Sequence, residues 1–348
     1  MCGLKVIGWD IGGANIKATR IVYTSESKLG CVREIKSLSR YFPMWNKSLS
    51  PVKMIREIAD QLGDADYFAV VMTAELADRF FSKREGIEYV ISLFVDNFPQ
   101  KKLYFFNHSA ELKKAGEITD ISKLAAANWA VSAKFLSYFV ENFVLFDLGS
   151  TTTDLVPVMR RRLALEARTD TERLYMGELI YLGLLRTSLA DIVDKIPYRG
   201  KFIPVMREYF ASTADVHLLT DIISSEEYLI PSADGRPGDK KSARNRIAKL
   251  IGSDMDISAA EEIDLAAEYI LNRELYLIKE NIYQIYSQID PKFNIPLLLN
   301  RGAEKLYPYL NDLKADSKKI CKEVPFIKNN ILTTSAAAFI LADNIISG

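Results

Sequence analysis

The sequence has little from which to build a metal cage of nitrogen and sulfur. Its 348 residues include two histidines, His108 and His217, and three cysteines, Cys2, Cys31 and Cys321. Two histidines exclude a histidine metal cluster. Cysteines this far apart, without CxxC spacing, argue against a disulfide framework or a structural zinc site. Such thiol usage fits a reducing cytoplasm. Charge of either sign is not in excess: 45 Lys and Arg meet 45 Asp and Glu. No overall basic field exists to recruit nucleic acid or an anionic membrane. The basic runs Arg160-Arg161-Arg162 and Lys240-Lys241 read as solvated turns. Long apolar runs are also missing. None approaches the ~18 residues that span a bilayer, and the densest, 135–148, is broken by Glu141 and Asn142. The N-terminus runs almost at once into a strand, which leads us to expect no signal peptide.

What is present is a globular composition, 49% hydrophobic and 26% charged, of a length for one large or two medium domains. Residues 4–10 and 16–23 read as β-segments around a glycine turn, a hairpin signal. That layout argues against a dinucleotide-binding start, where the glycines open a helix. Strands are expected at 66–73 and 102–107, and helices at 51–62, 84–97 and 122–140. NFVLFDLGSTTTDLVPVM, 142–159, then repeats the opening plan of strand, Asp, Gly-containing turn and strand. The second half reads as an amphipathic helix over 177–193, a hairpin at 197–205, and a Gly/Pro/Asp loop at 232–241 that is the best candidate for a flexible, closing loop. Helix follows at 258–288, a short strand at 296–300 and an alanine-rich helix at 335–346. The expectation is an α/β protein of two related domains, 1–142 and 143–348, with a cleft between them. The last helix is free to pack back on the first domain.

Aligned without gaps, Asp10 to Lys17 falls on Asp147 to Asp154. Each turn, Gly12-Gly13 and Gly149-Ser150-Thr151-Thr152, is either a plain hairpin turn or an anion-binding concavity of backbone N–H groups. Glycine allows positive φ and close backbone approach, and the second turn adds hydroxyl donors. The pairing of both turns with a preceding Asp favours phosphate. Asp10 and Asp147 suit Mg²⁺ or another divalent cation, which takes one or two carboxylates and leaves its other positions to phosphates. Lys17 suits a phosphate oxygen as a point charge, or is a snorkelling strand residue. Its counterpart Asp154 suits metal-bound water or a base role.

Glu75 follows a buried strand and is a candidate general base, or else a helix N-terminal Glu. Asn107 and His108 end the next strand, His108 as a capping or supporting residue. Glu178 and Tyr181 share a helix face on the expected spacing. Arg186 suits a phosphate or a surface ion pair. Tyr41-Phe42-Pro43-Met44-Trp45 is either an aromatic wall for a substrate or core packing beneath a loop.

The paired turns DIGGANIK and DLGSTTTD resemble the two phosphate loops of the acetate and sugar kinase/Hsp70/actin superfamily. That resemblance implies two RNase-H-like domains closing on a nucleotide and a metal, with Gly12, Gly13, Asn15, Gly149, Ser150, Thr151 and Thr152 on the phosphates. The superfamily's adenosine-contacting glycine pair would fall in LLLNRGAE, 297–304. Only Gly302 remains there, with Arg301 in place of a small residue, which argues against ATP in the usual mode. With YFPMW, MTAEL, AAANW, GELIYLGLLRT and SADGRPGD added, the chain is similar nearly end to end to the methanofuran-biosynthesis coupling enzymes, a hydantoinase/oxoprolinase-like family. The resemblance implies a transferase of alkyl or aryl groups other than methyl. An (aminomethyl)furanmethyl diphosphate would condense with γ-glutamyltyramine, forming an aryl ether and releasing pyrophosphate.

The residues suit that chemistry. Departing pyrophosphate needs a cation and donors on its oxygens, and the two turns, Lys17 and an Asp-held Mg²⁺ supply them. An electron-rich furan stabilises a methylene cation. The phenol, of ordinary pKa ~10, needs only partial deprotonation by Glu75 or Asp154. The furan diphosphate would lie across the 10–17 and 147–154 loops, with Arg186 as a further phosphate contact. Partners are then small molecules only, and a homo-oligomer is compatible. Two other readings remain: an ATP-dependent small-molecule kinase or lactam hydrolase of the same superfamily, and a nucleotide-switched scaffold or chaperone.

Overall fold

The computed structural model describes residues 3–24, 32–164, 167–289, 295–310, 313, 315–324, 327 and 331–347. Cys2 and Cys31 lie outside them. The chain divides into two compact units, and not by a single cut at 142/143. The first holds Met1–Phe143, Val156–Asp170 and Ile320–Gly348; the second holds Val144–Leu155 and Thr171–Lys319.

The first unit begins with β1 (Leu4–Gly12), β2 (Asn15–Tyr23) and β3 (Val32–Tyr41). It continues through α1 (Pro51–Leu62), β4 (Tyr67–Thr73), α2 (Lys83–Val95), β5 (Lys102–Phe106), β6 (Leu112–Lys114) and α3 (Asn128–Leu136). The sheet runs β3-β2-β1-β4-β5-β6. Its first three strands are antiparallel neighbours, and β4 and β5 join parallel to β1. Side chains alternate across a strand. Ile7, Trp9 and Ile11 therefore point into one core with Ile55, Ile58, Phe68 and Phe94. Gly8 and Asp10 belong to the opposite face.

The second unit takes the rest: β7 (Phe143–Leu148), β8 (Thr153–Met159), β9 (Arg162–Leu163), α4 (Asp170–Met176), β10 (Leu179–Ile180), β11 (Lys195–Tyr198) and β12 (Lys201–Pro204). After these come α5 (Thr213–Leu219), α6 (Lys240–Lys249), α7 (Ala260–Ser287), β13 (Leu297–Leu299), α8 (Arg301–Leu306), β14 (Ser317–Lys319) and α9 (Ile320–Glu323). Of these, β9, α9 and the Val156–Met159 part of β8 lie in the first unit, and β7 and α4 each begin there with one residue. The second sheet runs β10-β8-β7-β13-β14, with β9 beside β8. Its β13 and β14 pair in parallel, as do β13 and β7, while β10 is antiparallel to β8. This is the first sheet's 3-2-1-4-5 order repeated, the RNase-H-like arrangement. The eight-residue echo in the sequence is thus a repeat of topology.

The chain ends in α10 (Leu332–Ser347), which belongs to the first unit and packs on β1, β2 and α3. Its alanines let it approach closely. A Cβ on Gly8 would sit 2.0 Å from the Thr334 carbonyl oxygen, so β1 tolerates no side chain there. Thr19 and Thr334 hydroxyls meet at 2.6 Å, and Phe339 stacks edge-on against Phe135.

Two expected helices differ. The stretch 122–140 is interrupted: a short 3₁₀ turn covers Ile121–Leu124, Ala126 takes φ 47°, and α3 follows. The stretch 177–193 is not an amphipathic helix. Gly177 has φ 77°, Leu179–Ile180 pair with β8, and 184–186 donate backbone hydrogen bonds to the 149–150 turn. The sequence signal of apolar spacing is outweighed by partners on another strand, which satisfy the backbone N–H groups outside any helix. The hairpin at 197–205 forms as expected, with Arg199 and Gly200 both at positive φ.

Candidate active-site residues

In the first unit, Asp10 and Lys17 face each other across the hairpin. The lysine Nζ donates to Asp10 Oδ2 at 3.0 Å. Asp10 is buried, and its other oxygen, Oδ1, has no hydrogen-bond partner. A buried carboxylate with one oxygen uncommitted is a donor set that Mg²⁺ accepts, since that ion takes one or two carboxylates with water and phosphate. Among the described residues no group of three or more His, Cys, Asp or Glu forms a cage.

Neither Gly12 nor Gly13 uses positive φ, and Gly149 does not either. Of the two properties of glycine, positive φ and close backbone approach, these turns do not use the first. Gly12 and Gly149 serve close approach instead: an added Cβ would stand 3.0 Å from the Asn15 oxygen and 3.2 Å from the Thr152 oxygen. Asn15 opens β2 beside the turn. Gly13 faces open space. The segment after β3 braces this turn. Phe42 N–H donates to the Ala14 carbonyl at 2.9 Å and Met44 N–H to the Gly13 carbonyl at 2.8 Å. Phe42 and Met44 are buried in the core, so these two residues of the run act as packing that holds the turn, while Tyr41 is exposed.

Glu75 lies just beyond β4 and is 2% exposed. It is not in a helix, which removes the helix N-terminal reading. Gly86 of α2 lies against its backbone, where a Cβ would come 2.5 Å from the Glu75 carbonyl oxygen. Its Oε2 has no hydrogen-bond partner. Burial pushes the carboxyl up to about 7. Its own backbone N–H opposes the shift, Asp170 adds to it, and Lys83 and the Ala126 backbone oppose it. Lys83 and Asp170 pair at 3.3 Å. A carboxyl near neutrality is suited to take and give a proton.

In the second unit the turn closes through Gly149 N–H to the Thr152 carbonyl at 2.9 Å. Ser150, Thr151 and Thr152 are half-buried. The segment after β10 braces it: Leu184 N–H donates to the Gly149 carbonyl, and Leu185 and Arg186 N–H to the Ser150 carbonyl. Gly183 lies so close that a Cβ would be 2.4 Å from the Thr151 carbonyl carbon. Arg186 is thereby brought beside the turn by its own backbone. Tyr181 is exposed while Glu178 is buried, so these two do not share a face.

Asp147 is held by Asn300, whose Nδ2 donates to its Oδ1. The same Asn300 caps α8, its Oδ1 accepting from Ala303 N–H at 2.7 Å, and it also receives Leu148 N–H. Sequence reasoning missed Asn300, although an Asn between a short strand and a helix is an N-cap signal. Gly302 has a packing reason, because a Cβ would meet the Leu148 carbonyl oxygen at 2.1 Å.

Asp154 is not an available base. Its Oδ1 accepts from Arg173 Nη1 at 2.8 Å, and Arg173 is 1% exposed. Arg173 also donates to the Glu178 carbonyl at 3.1 Å and pairs with its carboxylate at 3.4 Å. Buried cation and carboxylates satisfy one another, making Asp154 an anchor between β8 and the strand beside it. Nothing in the local spacing of 170–176 marks Arg173 as its partner.

The 232–241 loop is tied down. Arg246 Nη1 donates to Asp234 at 3.1 Å, Asp239 caps α6 through Ser242 N–H, and Gly238 abuts the Tyr228 ring. Asp215 links Arg246 and Tyr228 beneath it. This corrects the expectation of a flexible lid. His217 is buried, between the Leu184 carbonyl at 2.7 Å and Glu274 at 3.0 Å. Asn107 closes the turn after β5, its Oδ1 accepting from Ser109 and Glu111 N–H, while His108 N–H donates to the Lys123 carbonyl.

Residues 66–300 match the family described as Hydantoinase/oxoprolinase. The chain is a member of that family. The matched span takes in Glu75, the 149–152 turn, Arg173 and Asn300. A protein of Methanocaldococcus jannaschii is 34% identical over 91% of this chain and 92% of its own length. It is named (4-{4-[2-(gamma-L-glutamylamino)ethyl]phenoxymethyl}furan-2-yl)methanamine synthase. A protein of Methanococcus vannielii with the same name is 39% identical over 52% of this chain and 81% of its own. Among solved structures, MreB5 of Spiroplasma citri bound to ADP aligns at TM-score 0.48 and 12% identity, covering 99% of both chains. No helix among the described residues is long and apolar enough to cross a membrane.

Proposed function

We propose that this protein joins an (aminomethyl)furanmethyl diphosphate to γ-glutamyltyramine, forming an aryl ether in methanofuran biosynthesis. The observation that carries the reading is the 34% identity to the Methanocaldococcus jannaschii synthase over nine-tenths of both lengths. The phenol oxygen of the tyramine bonds to the furan methylene carbon. The bond from that carbon to the diphosphate oxygen breaks, and pyrophosphate leaves with the bonding pair. The phenol proton passes to Glu75, whose carboxyl near 7 is ionised in a large fraction at neutral pH.

Each turn is assigned a share in handling the diphosphate, with Lys17 as a point charge and Arg186 as a further candidate contact. Asp10 in the first unit and Asp147 in the second are each a candidate ligand for Mg²⁺, which when bound would offset charge growing on the leaving diphosphate. Asp10 presents an uncommitted oxygen for it. ATP has no part in this balance.

The test is to incubate the protein with both substrates and Mg²⁺, with and without ATP, and to measure the ether by mass spectrometry. Ether and stoichiometric pyrophosphate in both samples are expected. ATP consumption without ether would overturn the reading.

A further inference from the structure

We propose that a basic cavity in the first unit binds a small polyanion carrying two or three negative charges. The cavity, about 350 Å³, lies among the turn after β5, the C-terminal end of α3 and the β8–β9 hairpin. Its size falls in the range of small-molecule pockets, roughly 300–1,000 Å³. The proposal does not rest on the coupling reaction and concerns none of the residues assigned to it.

Charge is the first argument. Among the described residues, Lys134, Arg161, Arg162 and Arg168 line the cavity, against one carboxylate, Glu111. The whole chain is balanced in charge, so this excess is local. Cations gathered round one concavity repel each other, and an anion between them relieves that. Arginine adds a forked donor that matches phosphate or carboxylate oxygens in pairs.

Backbone strain is the second argument. Arg160 and Arg161, the β8–β9 turn, have φ 49° and 64°, and Ala110 on the opposite lip has φ 56°. Two-residue turns of this kind ordinarily take Asn-Gly, and a non-glycine residue held there strains the backbone. The arginines stand where glycine would relieve the backbone. Arg161 is then fixed by donating to the Ser137 carbonyl. A purely structural role, cations at a helix C-terminus, accounts for Lys134 and Arg161. It leaves Arg162, on the same hairpin as Arg161, and Arg168, beyond β9.

The test is calorimetric titration of the full chain at low salt, with inorganic pyrophosphate and with citrate separately. Saturable binding of at least one is expected. Pyrophosphate alone assigns phosphate chemistry, and citrate alone assigns polycarboxylate chemistry. The variant Lys134→Met/Arg162→Met/Arg168→Met should bind the same anion at least tenfold more weakly with an unchanged melting temperature. Arg162→Met alone, exposed and simpler to fold, should weaken binding in the same direction. Lys53→Met, an exposed lysine outside the cavity, should leave the affinity intact. Absence of saturable binding to the wild-type protein, equal affinity in both cavity variants, or loss in Lys53→Met with retention in the cavity variants would overturn the proposal.

Discussion

The two halves carry the same hairpin and neutralise it in opposite ways. In the first, Asp10 is met by Lys17 from the facing strand of its own hairpin. In the second, the position of Lys17 is taken by Asp154, and the compensating cation, Arg173, comes from α4. Bracing, by contrast, is shared. The segment after the third strand donates N–H groups to the turn carbonyls in both halves, Phe42 and Met44 in one, Leu184 to Arg186 in the other. Holding the turn is therefore the common requirement, and charge at its base is where the halves diverged. They differ again past the next parallel strand, where one has the titrating Glu75 and the other the neutral Asn300.

The largest effect should come from that last difference. Glu75→Gln should lower the ether-forming rate by about 10²–10⁴, and the wild-type rate should rise with pH through about 7, as the base ionises. A flat wild-type profile would remove Glu75 from the chemistry. The same group sets a pH effect on stability. Its folded pKa lies above the ordinary 4.5, so the folded state holds the proton longer than the unfolded one. Stability should fall as pH rises from about 4.5 to 7 and stay lowered above. Glu75→Gln should then gain on the order of 3 kcal/mol at pH 8 and little at pH 4, read by urea unfolding.

Charge neutralisation comes next. Arg173→Met leaves Asp154 and Glu178 buried without their cation and should cost about 3–5 kcal/mol. Lys17→Met also leaves a buried carboxylate, Asp10, without its cation, but the lysine is one-third exposed and the loss should be smaller, about 1–3 kcal/mol. Equal losses in the two unfolding curves would erase the contrast. Bracing predicts a smaller step. Gly183→Ala should cost about 1–3 kcal/mol by forcing the 149–152 turn aside, whereas Gly13→Ala should stay within about 0.5 kcal/mol. Asn300→Ala should cost about 1 kcal/mol for a lost cap.

Much of this was legible in the sequence because it is local. Apolar runs, Pro51, and the Asp-Gly turns mark the strands, α1 and both hairpins within a few residues of where they form. The duplication was visible in eight residues and emerges as a repeated strand order. What stayed hidden depends on distant partners. The 177–193 segment has helical apolar spacing, but its N–H groups are claimed by a turn some thirty residues earlier. Asp154 reads as a free carboxylate until Arg173 is placed against it, and Asp147 until Asn300 is. Glu75 could be named from its place after a strand, but its elevated proton affinity comes from burial beneath α2, which no window of sequence displays.

The central claim is that both hairpins serve one diphosphate chemistry. It is tested most directly by the rate of ether formation in Asp10→Ala and in Asp147→Ala, assayed with saturating substrates and Mg²⁺ on folded protein. Each substitution alone should reduce the rate at least a hundredfold. Full activity in both would contradict the account.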